Sequence, residues 1–312
     1  GEGRGGCRQE AGSPRFFGSL KGDAMKDDPP RRPLSRRECL VGAAATGVGL
    51  AVAPPSAVAK TARGARRALP DLSDPDAALR TMVRMQGSLR EEDVPWWFTG
   101  VIFAVTGDTE TPRPLVRFEG MEIYWFRHIA DGFILGGHTV TFFRDFATGE
   151  FLQEFENPWT RRKETVKPAV QGGNLGFKYS RDGIQPVRLD GAPLGPSPVG
   201  PFRPQFHQVG GHVWVQHQTV YPPGMPAMHG QRQTLFAAAD DIADARIDAV
   251  PATFSSTVFM GWLKWMEMQG IPGHVVWHAS GAKLRSIDEL PTAYRERAMR
   301  EFPERMTARP RA

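Results

Sequence analysis

Thr141-Phe142-Phe143-Arg144-Asp145-Phe146-Ala147-Thr148-Gly149-Glu150-Phe151-Leu152-Gln153-Glu154-Phe155 is the stretch on which the fold turns. Its two arms, Thr141 to Asp145 and Phe151 to Phe155, are aromatic-rich and flank a break at Phe146-Ala147-Thr148-Gly149. Aromatic residues suit a pleated, half-buried surface, and a Thr-Gly pair supplies the turn chemistry. The reading is a β-hairpin. Working outward, the same period of two returns in Trp96 to Val105, Pro114 to Met121, Ile123 to His128, Gly137 to Phe146, Glu150 to Asn157, Gly176 to Ser180, His212 to Tyr221 and Gly273 to Ala279. Gly107-Asp108, Asp131-Gly132, Asp182-Gly183 and Asp190-Gly191 punctuate these segments as turns.

Helical spacing appears only at the two ends of this region. Asp74-Pro75 offers an N-cap acceptor followed by proline at the first helical position. Leu79, Met82 and Val83 then form an apolar stripe that Gly87 closes. Trp262 to Met268 reads as a short helix. A last helix runs from Pro291 to Glu301, with Tyr294, Ala298 and Phe302 four residues apart and Pro303 ending it. The expected fold class is mainly β: a single antiparallel curved sheet or barrel with flanking N- and C-terminal helices.

Upstream, the chain reads as an export leader. Ser35-Arg36-Arg37-Glu38 precedes the Gly/Ala-rich apolar run Cys39 to Ala53, and Ala57-Val58-Ala59 makes a cleavage site. The paired arginines resemble a twin-arginine signal, which implies folded cargo, the twin-arginine translocase as partner and a periplasmic destination. The run is too short and too weakly apolar to make a stable membrane span. Residues 1–24 are expected to be over-extended translation before Met25, 25–59 the signal, 60–74 a basic tether, and 75–312 one β-rich domain.

Composition narrows the function classes. The chain has 312 residues and a formal net charge of +5, but residues 1–59 carry nine Lys and Arg against six Asp and Glu, leaving +2 for the rest. The signs are interspersed, without the basic stripe of a nucleic-acid binder. Both cysteines, Cys7 and Cys39, lie in the leader, so the domain itself has no disulfide, thiolate metal site or cysteine nucleophile.

Ordered motifs carry a family resemblance. Trp97-Phe98-Thr99-Gly100, Pro114-Leu115-Val116-Arg117-Phe118-Glu119-Gly120-Met121, Asp145 with Thr148-Gly149-Glu150, Glu156-Asn157-Pro158, Pro272-Gly273, Gly281-Ala282-Lys283 and Leu290-Pro291 occur in sequence. This succession resembles domain-of-unknown-function family 1838, over roughly Ala77 to Pro310. The resemblance implies one compact domain and fits export. It brings no activity with it.

Chemistry must then be sought in the residues. His207, His212 and His217 follow an H-x4-H-x4-H spacing, yet in a strand the odd offset puts His212 and His217 on opposite faces. No HExxH, nucleophile elbow, Walker loop or dinucleotide loop is present. The reading therefore assigns no metal and no cofactor, although a metal assembled from separate strands stays open. One side of the His212 strand carries His212, Trp214, Gln216 and Gln218; the other carries Val213, Val215, His217 and Thr219. If a helix covers the apolar side, the His/Trp/Gln side lines a barrel interior. His212 or His217 is the candidate acid/base, and Arg117 or Arg144 the candidate anion contact. Trp214, Gln216, Glu119, Trp97 and Phe142 are candidate ligand contacts. The competing reading leaves the His/Gln face solvated and pairs Arg117 with Glu119 or Asp145. The expected function is binding of a small, largely apolar or aromatic ligand, with cofactor-independent lyase, isomerase or hydrolase chemistry. The alternatives are a non-catalytic periplasmic binding protein and an envelope structural or interaction module.

Overall fold

The computed structural model describes residues 67–107, 111–195, 204–220 and 228–306. The expected leader, the first part of the tether and Tyr221 lie outside them. Among the described residues, twelve strands run β1 Val94–Thr106, β2 Arg113–Ile129, β3 Gly132–Arg144, β4 Glu154–Glu156, β5 Lys163–Thr165, β6 Ala169–Ser180, β7 Gly183–Arg188, β8 Gln205–Val209, β9 His212–Val220, β10 Met228–Ala238, β11 Ala252–Met260 and β12 Gly273–Lys283. Ten of them form one antiparallel sheet in the order β7-β6-β3-β2-β1-β12-β11-β10-β9-β8. The first and last strands meet at its centre, Gly100 opposite Ala279. The sheet curls into a half-barrel that ends at two edges, β7 and β8, so the expected curved antiparallel sheet is present.

The turn at Thr148-Gly149 forms as expected. Asp145 Oδ1 accepts the backbone N–H groups of Ala147 at 2.9 Å and Thr148 at 2.7 Å. Gly149 takes φ 74°, the left-handed region glycine enters without a Cβ clash. The second arm departs from expectation. It stays paired only as far as Leu152, whose N–H donates to Phe143 O at 2.9 Å. It then leaves to form the separate β4–β5 hairpin. Asn157, fully buried, draws it away: Nδ2 donates to Met266 O at 2.8 Å, while Oδ1 accepts from Trp159 and Thr160 N–H. Phe155 and Trp265 thereby pack edge-on, with Phe143 against the same indole, across one end of the half-barrel.

Helix α1, Pro75–Gln86, closes the opposite end. Asp74 Oδ2 accepts the Ala77 N–H at 3.0 Å, the cap its sequence announces. Leu79, Met82, Val83 and Met85 are buried in the same cluster as the concave residues Trp96, Phe98, Phe118 and Phe126. Gly87 follows because a Cβ there would lie 2.6 Å from the Phe126 ring. The expected helix at Trp262–Met268 is only a 3-10 turn, Lys264–Met266. After the five-residue helix α2, Ala239–Ala243, and the rest of the sheet, α3 covers Thr292–Glu301.

Helix α3 packs on the convex face of β2 and β3, where Tyr294 and Ala298 are buried with Met121, Ile123, Val140 and Phe142. The Tyr294 hydroxyl bridges the two strands: it accepts the Met121 N–H at 2.9 Å and donates to Val140 O at 2.7 Å. Burial raises the phenol well above its ordinary pKa, so it stays protonated as this bridge requires.

Candidate functional site

Alternation along each strand decides what faces the hollow of the half-barrel. On β2 the inward residues are Phe118, Gly120, Glu122, Tyr124 and Phe126; on β9 they are Val213, Val215 and His217. Glycine makes room where inward rings lie flat on the sheet. A Cβ on Gly100 would sit 2.6 Å from the Phe118 ring, and one on Gly120 would sit 2.4 Å from the Phe98 ring. What remains between the two closed ends is a cavity of about 570 Å³. That falls within the roughly 300–1,000 Å³ of small-molecule sites.

Two polar walls line this cavity, with aromatic rings between them. One wall crosses β9, β10 and β11, where His217 stands opposite Gln233 and Gln233 opposite Ser256. The other crosses β2, β3 and β6, where Glu122 stands opposite Thr139 and Thr139 opposite Gln171. Phe98, Phe118, Phe254 and Trp277 form the floor, with the Phe118 and Trp277 ring centroids 4.7 Å apart. Gln86 closes the α1 end and accepts the Tyr179 hydroxyl at 2.9 Å. Leu175 and Leu194, both exposed, mark the mouth.

Burial shapes the two titratable walls in opposite senses. Removal from water pushes the Glu122 carboxyl up to about 7, against the stabilising hydrogen bonds of Tyr124 and of Thr139, whose hydroxyl donates to Oε1 at 3.2 Å. The same desolvation pushes His217 down to about 4, so the ring is neutral across the physiological range. Its Nδ1 is buried and has no hydrogen-bond partner, and the indole N–H of Trp277 is likewise buried and unpartnered. Near neutral pH Glu122 can give or take a proton, and His217 can donate or accept a hydrogen bond without carrying charge.

The residues singled out from sequence separate by face. His217 lines the cavity. His212, Trp214 and Gln216 face outward, contrary to the expected inward orientation, because Val213 and Val215 on the other side are wholly buried in the single core of the concave face. Trp214 stacks on His207 at 5.4 Å on that outer surface. Arg117, Glu119, Phe142, Arg144 and Trp97 share the convex face rather than the cavity. There Arg144 pairs with buried Glu119 and lies 3.8 Å over the Phe151 ring, which Arg297 of α3 also covers at 4.6 Å. Arg117 sits over Phe146 and beside Asp145, close to the surface pairing weighed as the alternative. The cluster fastens α3 and the 145–151 turn to the sheet.

Glu122, Tyr124, Gln233, Ser256 and Trp277 were not anticipated. The available signal was Glu122 itself, a lone carboxylate in phase with Phe118, Tyr124 and Phe126 on an otherwise apolar face. Among the described residues no group of three His, Cys, Asp or Glu side chains is placed to hold a metal ion, and no helix is long and apolar enough to cross a membrane.

A family profile described as "Protein of unknown function (DUF1838)" matches residues 91–171 and 227–312. The chain belongs to the DUF1838 family. The matched segments of DUF1838 hold the Glu122–Thr139–Gln171 wall and the floor rings Phe98, Phe118, Phe254 and Trp277, while His217 falls between them. No curated protein matches the chain significantly.

Proposed function

We propose that this DUF1838 domain binds a small, largely apolar molecule in the hollow of its half-barrel, and that Glu122 and His217 serve as its proton-handling groups. One observation carries the reading: a ligand-sized cavity whose walls hold a carboxyl titrating near 7 and a neutral imidazole with an unpartnered buried nitrogen. An unsatisfied polar atom in a core costs stability, and a ring that bears this cost in a cavity wall is consistent with a role for its other nitrogen. A carboxyl poised near neutrality suits general acid–base chemistry, so lyase or isomerase turnover without a cofactor is the enzymatic form of the proposal.

The experiment is a titration with the uncharged fluorophore N-phenyl-1-naphthylamine. Saturable binding that is lost in Ala279→Phe and weakened in Ser256→Leu, both altering the cavity lining, supports the reading. Binding unchanged in both variants overturns it. The paired Arg36-Arg37 and the Ala57-Val58-Ala59 site further support delivery to the periplasm by the twin-arginine route.

A further inference from the structure

The lining of the cavity is unusual in what it leaves out. The chain carries 39 Lys and Arg, yet no ammonium or guanidinium lines the cavity among the described residues. Lys283, two strands from Glu122 across Trp96 in the register, is committed elsewhere: its Nζ donates to Arg84 O and Gly87 O, both at 2.8 Å. Among the described residues, the titratable groups sharing the cavity with Glu122 are Tyr124 on its own strand, Tyr179 on β6 and His217 on β9. They comprise one further imidazole and two phenols, with no cation.

Among the described residues, a carboxylate ligand would meet apolar rings, a carboxyl and no counter-charge. Burying an unpaired anion there is strongly unfavourable. An ammonium ligand would need Glu122 ionised, and removal from water there favours the proton-bearing carboxyl. The imidazole points the same way. With Nδ1 buried and unpartnered, a bare lone pair there is cheaper than an orphaned N–H; the ring proton then sits on Nε2 and makes His217 a donor. A protonated carboxyl and an imidazole N–H are both donors, and both seek an acceptor oxygen.

Resting on the reading of the hollow as a ligand site, we propose that it selects an uncharged ring compound bearing a carbonyl or ether oxygen and rejects carboxylates and amines of the same skeleton. The oxygen is held by Glu122 or His217, and the rings Phe98, Phe118 and Trp277 receive the apolar body.

The test is displacement of bound N-phenyl-1-naphthylamine at pH 6 by three probes of one skeleton: 2-acetylnaphthalene, 2-naphthoate and 2-naphthylmethylammonium. The ketone is expected to compete at least about tenfold more tightly than either ion. Equal or tighter binding of the naphthoate overturns the proposal, and so does tighter binding of the ammonium. If the fluorophore itself fails to bind, the ligand-site reading falls and takes this proposal with it; if it binds but the three probes compete equally, only the selectivity falls. A second arm raises the pH to 8.5. Ketone affinity of the native protein should drop at least about fivefold as the proton-bearing fraction of Glu122 shrinks, while Glu122→Gln, whose amide keeps a donor at every pH, should hold its affinity. A pH-independent native affinity overturns the role given to Glu122.

Discussion

His217 spends folding stability to keep a polar nitrogen in a cavity wall. Its unpartnered Nδ1 costs the free protein about 1–3 kcal/mol relative to a group with no such need. His217→Leu should therefore leave the unfolding free energy unchanged or raise it by about 1 kcal/mol in urea titrations, while lowering affinity for the cavity probe. A loss above 2 kcal/mol with intact binding would mark the ring as a packing element instead. Glu122 makes the complementary prediction in pH. Its carboxyl has a folded value of about 7 against an ordinary 4.5, so the folded state holds the proton more tightly. That contribution is full below 4.5 and is lost as pH rises through 7, by on the order of 1–2 kcal/mol after allowing for partial exposure. His217 runs the other way, its folded value of about 4 lying below the ordinary 6.5, so its contribution is lost as pH falls through that window. Denaturation between pH 4.5 and 8 should show the alkaline loss in the native protein and not in Glu122→Gln. At this scale the sequence was half legible. Either face of β9 had a polar residue to offer, and which one turned inward depended on where a helix packs. Helix α3 packs on the convex side around β2 and β3, while Val213 and Val215 of β9 are buried in the core of the concave side.

Helix α1 is fastened by cations spent on backbone carbonyls. Buried Arg84 donates to Ile247 O at 2.7 Å, Ile242 O at 2.9 Å and Asp244 O at 2.6 Å, gathering the end of α2 and the segment after it. Lys283 caps the C-terminal carbonyls of α1 beneath the Trp96 ring, its ammonium driven down to about 7 by burial. Lys283→Met should cost about 1–3 kcal/mol, since two buried acceptors lose their donor, and hydrogen exchange should quicken in the last turn of α1. Tyr294→Phe should cost about the same by orphaning the Met121 N–H and Val140 O; a neutral result would show that the strands close up without the hydroxyl. Elements with one-sided burial were readable: α1 had its cap and stripe, and β1, β3 and β12 their alternation. The Pro114–Met121 and Ile123–His128 segments are one strand, and β5, β7, β8, β10 and β11 lie outside the segments expected from the sequence. The reason is physical for β10 and β11, where Gln231, Gln233 and Ser256 face the cavity and blur the apolar period that marks a strand.

For the whole molecule, two meanders of strands meet at β1 and β12, and their curl leaves a hollow closed by α1 at one end and by Trp265 with Phe155 at the other. That architecture needs no disulfide, which suits a domain expected to travel folded. Replacing Arg36 and Arg37 together by Lys should retain the precursor in the cytoplasm, as read by fractionation, and the exported form should begin at Lys60; export of the Lys-Lys variant would remove the twin-arginine assignment. The hollow itself is the central claim, and the eight tryptophans report on it, because they sit in distinct places. Trp277 lies in the cavity floor, Trp97 faces outward beside α3, and Trp214 stacks on His207 on the outer surface. The decisive measurement is a nitrogen-15 NMR titration of the indole N–H signals with 2-acetylnaphthalene, the Trp277 signal being assigned from Trp277→Phe. A saturable shift of Trp277 with Trp97 and Trp214 unmoved is the predicted result. A shift confined to Trp214, or none at all, would contradict it.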